Sequence, residues 1–299
     1  MELSTWAILS VIFKFFLYLT TSIAVGAGFI RKLAGDDNIL QRSIDRYWSI
    51  LILSGIGIAM SYFFVQVGGF VEEGFEGILN MEYAIMLWQS SMGDAVNYQV
   101  LGFLLIWLSK FVYQWWGAIN PKIKKEYLSI PVFLIGVFFL ARSFSMVGHT
   151  AEYGLIFQLI LSLHVICVAW WIGALFPLRR ACQLLNTQSL FRLMDRFGKW
   201  ASVVVTLLIS SGATIVILFA KGSLDIFKTN YGLILLAKFL MVGFILLFAL
   251  YHKLKLVPLL KQEANVHTVL RRSITKEIVI ALLILVITAT LTTAAGNAA

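Results

Sequence analysis

The sequence predicts an all-α, polytopic membrane protein: a bundle of eight transmembrane helices with both termini on the outer side. Three observations predict it. Of its 299 residues, 60% are hydrophobic and 13% charged, against roughly a quarter charged in a soluble domain. Eight apolar runs reach the length a span needs, about 20 residues. The cations, finally, are concentrated in alternate connections between those runs.

In chain order the expected spans are Trp6–Ile30, Trp48–Val67, Ala95–Tyr113, Leu128–Val147, Leu155–Leu178, Ala201–Ala220, Gly232–Leu250 and Ile278–Ala295. They read as a single transmembrane bundle over 1–299. The first span begins without a small-residue cleavage site behind it, so it reads as a retained helix rather than a removable signal peptide. Pro177 is expected to end or kink the fifth span.

The connections set the orientation. Arg31, Lys32, Arg42 and Arg46 follow the first span; Lys110, Lys122, Lys124 and Lys125 follow the third. Arg179, Arg180, Arg192, Arg196 and Lys199 follow the fifth, and Lys253, Lys255, Lys261, Arg271, Arg272 and Lys276 follow the seventh. These are nineteen of the 24 cations. The connection after the second span carries Glu72, Glu73, Glu76, Glu82 and Asp94 and no cation. The positive-inside rule places the basic connections in the cytoplasm and both termini in a periplasm-like compartment. The net charge of +9 is thereby explained by topology, with no long basic surface to track a nucleic acid.

Recurring small-residue motifs admit a parallel repeat of two four-helix halves. Gly26-Ala27-Gly28 closes the first span and Gly173-Ala174 the fifth; Ser54-Gly55 and Ser211-Gly212 lie in the second and sixth. Glycine is also common in membrane helices for packing reasons alone.

Ionisable groups at membrane depth default to functional hypotheses. His164 lies near the middle of the fifth span, with Cys167 three residues on, on the same helix face. Imidazole and thiol together suit copper, zinc or iron. The bland alternative is a neutral histidine hydrogen-bonded to another helix beside an apolar cysteine. His149 lies at the outer end of the fourth span, with Met146 three residues before it. Thioether and imidazole together fit a copper contact, and the alternative is a solvated loop histidine. Cys167 and Cys182 are about 22 Å apart along one helix, too far for a disulfide. Lys14 and Lys238 are explained by snorkelling, and His252 and His267 read as ordinary helix-end residues. Trp170 and Trp171 lie too deep for an interfacial belt, so at least one is expected inside the bundle. No nucleotide-binding or hydrolase motif occurs, and the chain is expected not to be an enzyme.

Val147-Gly148-His149-Thr150, followed by Leu163-His164 and then Trp170-Trp171-Ile172-Gly173-Ala174-Leu175-Phe176-Pro177-Leu178, resembles the signature of the copper-resistance D (CopD) family. Thr229-Asn230-Tyr231-Gly232 with Leu236-Ala237-Lys238, and the basic stretch with Phe191, Phe197 and Gly198, are similar to it as well. The resemblance is specific over 147–178. It implies a multi-pass protein of the bacterial inner membrane that accepts copper from a periplasmic copper-binding protein of the copper-resistance C type. That copper would move into or across the membrane, in copper transport and resistance. The family's metal-binding histidines map onto His149 and His164; Met146 and Cys167 stay suggestions from the residues themselves. The resemblance fixes neither the oxidation state of the copper ion nor its direction of movement. The alternative is a membrane b-type cytochrome or quinone-linked redox subunit with His149 and His164 as haem ligands.

The charge pattern generates a direct prediction. A reporter fused after Ala299 should behave as periplasmic and one fused near Lys122 as cytoplasmic. A cytoplasmic C-terminal reporter would remove the eight-span arrangement.

Overall fold

The computed structural model describes residues 5–35, 37–71, 74–119, 126–148, 153–220, 229–261 and 266–293. They fold into helices, with no strand among them: α1 (Thr5–Leu33), α2 (Asn38–Val71), α3 (Met81–Trp88), α4 (Ser91–Ile119), α5 (Glu126–Ser143), α6 (Leu155–Leu184), α7 (Thr187–Ala220), α8 (Asn230–Tyr251), the short turn α9 (Val257–Leu259) and α10 (Val266–Thr293). Among the described residues seven helices are long and apolar enough to cross a membrane. The fourth expected span is the exception: α5 offers a shorter apolar stretch, Leu128–Ser143. The chain is thus a multi-pass membrane protein whose outer apolar surface contacts lipid.

Local chemistry explains where the helices start and stop. Gly35, at φ 60°, supplies the left-handed residue that closes α1. Asp37 then accepts a hydrogen bond from the Leu40 amide at 3.2 Å and caps α2. The acidic connection after α2 was expected as a loop, yet it holds a 3-10 turn over Phe75–Leu79 and the helix α3. Asn80 caps α3 by accepting from the Glu82 and Tyr83 amides. Propensity for so short a helix is weak, and the Asn80 cap is the signal that the apolar-run reading passes over.

The centre of the bundle is the crossing of α1 and α6. A Cβ on Gly173 would lie 1.7 Å from the Ser22 carbonyl oxygen, and one on Gly26 would lie 2.3 Å from the Ala174 amide nitrogen. The two backbones therefore touch, which only glycine at both positions permits. A second crossing of this kind joins α4 to α5, where Gly102 faces Gly136. The remaining neighbours are α2 on α1, α7 on α6, and α10 on α1, α6 and α8. Both Trp170 and Trp171 are buried; Trp170 stacks on Phe197, with ring centroids 5.0 Å apart. Pro177 does not end α6, which continues to Leu184. Membrane helices tolerate an internal proline where their neighbours re-satisfy the freed backbone.

One end of the bundle gathers the basic residues. Asp45 accepts from Arg31 at 2.8 Å and lies 3.9 Å from Lys110, joining α1, α2 and α4. Arg179 donates to Thr275 at 2.8 Å, and Arg180 to Ser43 at 3.4 Å. At the opposite end, Lys14 donates to the Thr292 carbonyl at 2.8 Å. Its ammonium thus serves the C-terminus of α10, where a cation is favoured, in place of simply snorkelling to the interface.

The crossing makes a contrast between two glycines. Gly173→Ala should prevent the α1–α6 approach and cost more than about 3 kcal/mol, since overpacking costs about 1–3 kcal/mol even where side chains can yield. Gly57→Ala, whose Cβ would meet nothing within 4 Å, should be neutral or mildly stabilising. Thermal unfolding of the two variants in detergent, followed by size-exclusion chromatography, checks this.

Candidate functional site

His164 is placed by α6 and received by α7. Its Nδ1 lies 3.2 Å from Ser211 Oγ. The Ser211 hydroxyl also lies 2.7 Å from the Leu207 carbonyl oxygen, to which it donates, as a helical serine commonly does. That assigns the donor role in the His164–Ser211 pair to the imidazole, with the hydrogen on Nδ1. In that tautomer Nε2 is the nitrogen that carries the lone pair. Gly212 leaves the space: a Cβ there would lie 3.1 Å from His164 Cε1. Ser211-Gly212 therefore forms a fitted seat, one group binding the ring and the next making room for it.

His164 faces α7 and not α5. Ser162, two residues earlier, is the side chain that faces α5, with its hydroxyl 3.3 Å from that of Ser145. Two residues turn a helix by about 200°, so His164 looks the other way, toward α7. Lys238 of α8 is close enough to the ring to act on it electrostatically. Cys167, one turn further along α6, is buried in the main core.

Met146 lies just past the end of α5 and is half-buried. Its surroundings are polar on one side. Arg142 donates to Ser145 at 2.5 Å and to Gln158 at 2.6 Å, tying the end of α5 to the start of α6. Val147 packs instead on the cluster of Tyr62, Phe63, Val67, Met92 and Val96. His149 lies outside the described residues. The structure thus sets His164 on the α7 side of α6 and Met146 at its α5 side. Among the described residues no group of three or more His, Cys, Asp or Glu side chains is placed to hold a metal ion. Two ligand types from α6, His164 and Cys167, could contribute to a soft-metal contact completed by other donors.

Sequence reading passed over one constellation. His252, taken as an ordinary helix-end residue, lies 3.3 Å from the carboxylate of Glu277 and 2.6 Å from Ser273 Oγ. The signal was present: Glu277 follows directly on Lys276, the last cation of the basic stretch, and Ser273 precedes it by one helical turn.

Residues 191–291 match the family model for CopD, copper resistance protein D. The match covers about a third of the chain and falls on α7, α8 and most of α10. It begins after the stretch 147–178 that carries the signature, and it includes Ser211, Gly212, Lys238, His252 and Glu277. The comparisons with curated proteins and with solved structures returned no match. The family is one of copper resistance, and this match gives the haem reading no support.

The seat can be measured as a coupling. Ser211→Ala should cost about 0.5–1.5 kcal/mol of stability, and the loss should largely vanish when His164 is already Ala. A double-mutant cycle on unfolding in mixed micelles checks it; equal losses in both backgrounds would mean the hydroxyl does not hold the ring.

Proposed function

We propose that this CopD-like chain is a copper-handling protein of the bacterial inner membrane, non-enzymatic, which accepts copper at its outer face and moves it into or across the membrane. The observation that carries the reading is that the segment matching copper resistance protein D supplies the Ser211-Gly212 seat of His164. The residue singled out by the signature and the residues matched by the family model thus meet at one place.

In this reading copper is cargo. Met146 and His149, where α5 gives way to α6, make the first contact, within reach of a periplasmic donor of the copper-resistance C type. His164 receives copper deeper in the bundle through Nε2. The ammonium of Lys238 opposes a cation there, so the deeper contact needs negative charge, which Cys167 supplies as a thiolate. The orientation that suits this has both termini periplasmic and α5 as the eighth span. Its Gly136 lies on Gly102 of α4, which gives α5 a membrane helix to follow across. The two halves, α1 to α5 and α6 to α10, then form a parallel repeat about the Gly26–Gly173 crossing.

Two substitutions at His164 decide the matter. His164→Ala should abolish copper accumulation by cells expressing the chain and lower the copper retained by purified protein by at least about tenfold, the scale at which losing one metal-site group is felt. His164→Gln keeps a hydrogen bond to Ser211 but is a poor ligand for a soft metal, and should fail equally. Recovery of copper handling in the Gln variant would make His164 a structural residue and place the copper contact elsewhere. His149→Ala should weaken transfer from the donor while leaving membrane insertion intact.

A further inference from the structure

We infer that His252, Glu277 and Ser273 form a proton-binding site at the basic end of the bundle, taking up one proton from water and holding it on the Glu277 carboxyl. Glu277 is 2% exposed, and its Oε1 has no hydrogen-bond partner among the described residues. A carboxylate removed from water costs several kcal/mol unless it is paired or neutralised. Its one ionisable neighbour is the imidazole, 3.3 Å away from Nδ1 to Oε1.

The local backbone is shaped to make this contact. α8 ends in a π-helical segment, His252–Leu256, and such segments re-aim side chains and recur at functional sites. On α10, Ser273 and Glu277 are four residues apart and share a face. The two imidazole nitrogens span that interval, with Nε2 2.6 Å from Ser273 Oγ and Nδ1 toward Glu277. The result is a continuous chain from a half-buried hydroxyl, through the ring, to a buried acid. It is short of donors for a metal, since two ionisable ligands are too few for a closed site, but complete for a proton.

The transfer balances. An incoming proton binds the Ser273 oxygen as the hydroxyl hydrogen passes to His252 Nε2. The imidazolium so formed releases its Nδ1 hydrogen to Glu277 Oε1. Serine is restored, histidine is neutral with its hydrogen on Nε2, and the net change is one carboxylate made carboxylic acid. Reversing the sequence returns the proton to water.

At the basic end, the other charged or titratable groups on the elements packed around the pair are Tyr251, Lys253 and Lys255 beside His252, and His267, Arg271, Arg272 and Lys276 on α10. α6 adds Arg179, Arg180 and Cys182, and α1 adds Arg31 and Lys32. Arg179 donates to Thr275, Lys253 to Ser202, Arg31 pairs with Asp45, and Lys32 lies over the Phe133 ring. Glu277 is the one carboxylate of this group among the described residues.

The test is infrared spectroscopy of the metal-free full chain in vesicles, titrated in pH. It does not depend on the copper reading. A carboxylic-acid carbonyl band lost in Glu277→Gln should rise and fall in a single-proton step. His252→Gln should move its midpoint by about one pH unit or more, tenfold in proton affinity. Ser273→Ala should leave the band in place and slow its exchange with heavy water. If Glu277→Gln fails to reach the membrane, Glu277→Asp should shift the band in its stead. No Glu277 band at any pH where the protein stays folded, or a midpoint unmoved by His252→Gln, overturns the site.

Discussion

The structure depends on the contact of two backbones at Gly26 and Gly173. In lipid, apolar side chains gain nothing by leaving one another's company for the acyl chains, so helices associate through close packing and polar contacts. Glycine at both positions lets α1 and α6 approach until no side chain fits between them, and the other elements are positioned from that crossing. Trp48 of α2 donates its indole hydrogen to the Ala24 carbonyl at 3.0 Å, half a turn before Gly26. Gly28, half a turn beyond it, makes the space that Trp48 and Phe133 of α5 occupy. Four helices are thus fixed within about two turns of α1.

The two sides of the crossing are held by different means. On the α1 side, α4 and α5 close on each other through Gly102 and Gly136, and Gly55 of α2 receives the Phe103 ring, with Asp45 pairing Arg31 and Lys110 at the basic end. On the α6 side, the contacts that stand out are polar: Ser211 to His164 between α7 and α6, and His252 to Ser273 and Glu277 between the end of α8 and α10. α7 and α8 meanwhile turn much of their apolar surface outward, as Leu207, Ile217, Leu240 and Leu247 do. Polar contacts in a membrane are each worth little, about 0.6 kcal/mol on average, while glycine crossings are rigid by sterics. The segment that matches copper resistance protein D therefore supplies the α7, α8 and α10 partners in these polar contacts.

The fold class was legible because lipid imposes it: length and hydropathy find helices, and the spans at α1, α2, α4, α6, α7, α8 and α10 fall where the apolar runs lie. The limits of that reading are equally physical. Hydropathy measures transfer, so it overstated the run that became the short α5 and had no means to see α3, whose start is a matter of one capping asparagine. It also could not orient a side chain around a helix. The sequence placed His164 at mid-membrane, but its turn toward α7 follows from Ser162 being claimed by Ser145, a contact between helices that no local pattern encodes. Glu277 was missed for a related reason: the charge rule explains a cytoplasmic-type stretch as a whole, and an acid at its end looks like solvent-facing noise until its partner on another helix is known.

The electrostatics of the α6 side then decide what chemistry His164 can support. A cation arriving at Nε2 meets the ammonium of Lys238, and in a medium of low polarity that repulsion is felt more strongly than in water. Imidazole is neutral and cannot offset it. The nearest group on the same helix that can become an anion on binding a metal is the buried Cys167 thiol, and the buried acid Glu277 is engaged elsewhere, against His252. On the proposed reading, a metal ion at His164 would therefore need a thiolate beside it, which favours the soft, singly charged form of copper over harder divalent ions. The ligand pair expected from spacing alone acquires from its neighbour a reason to be selective.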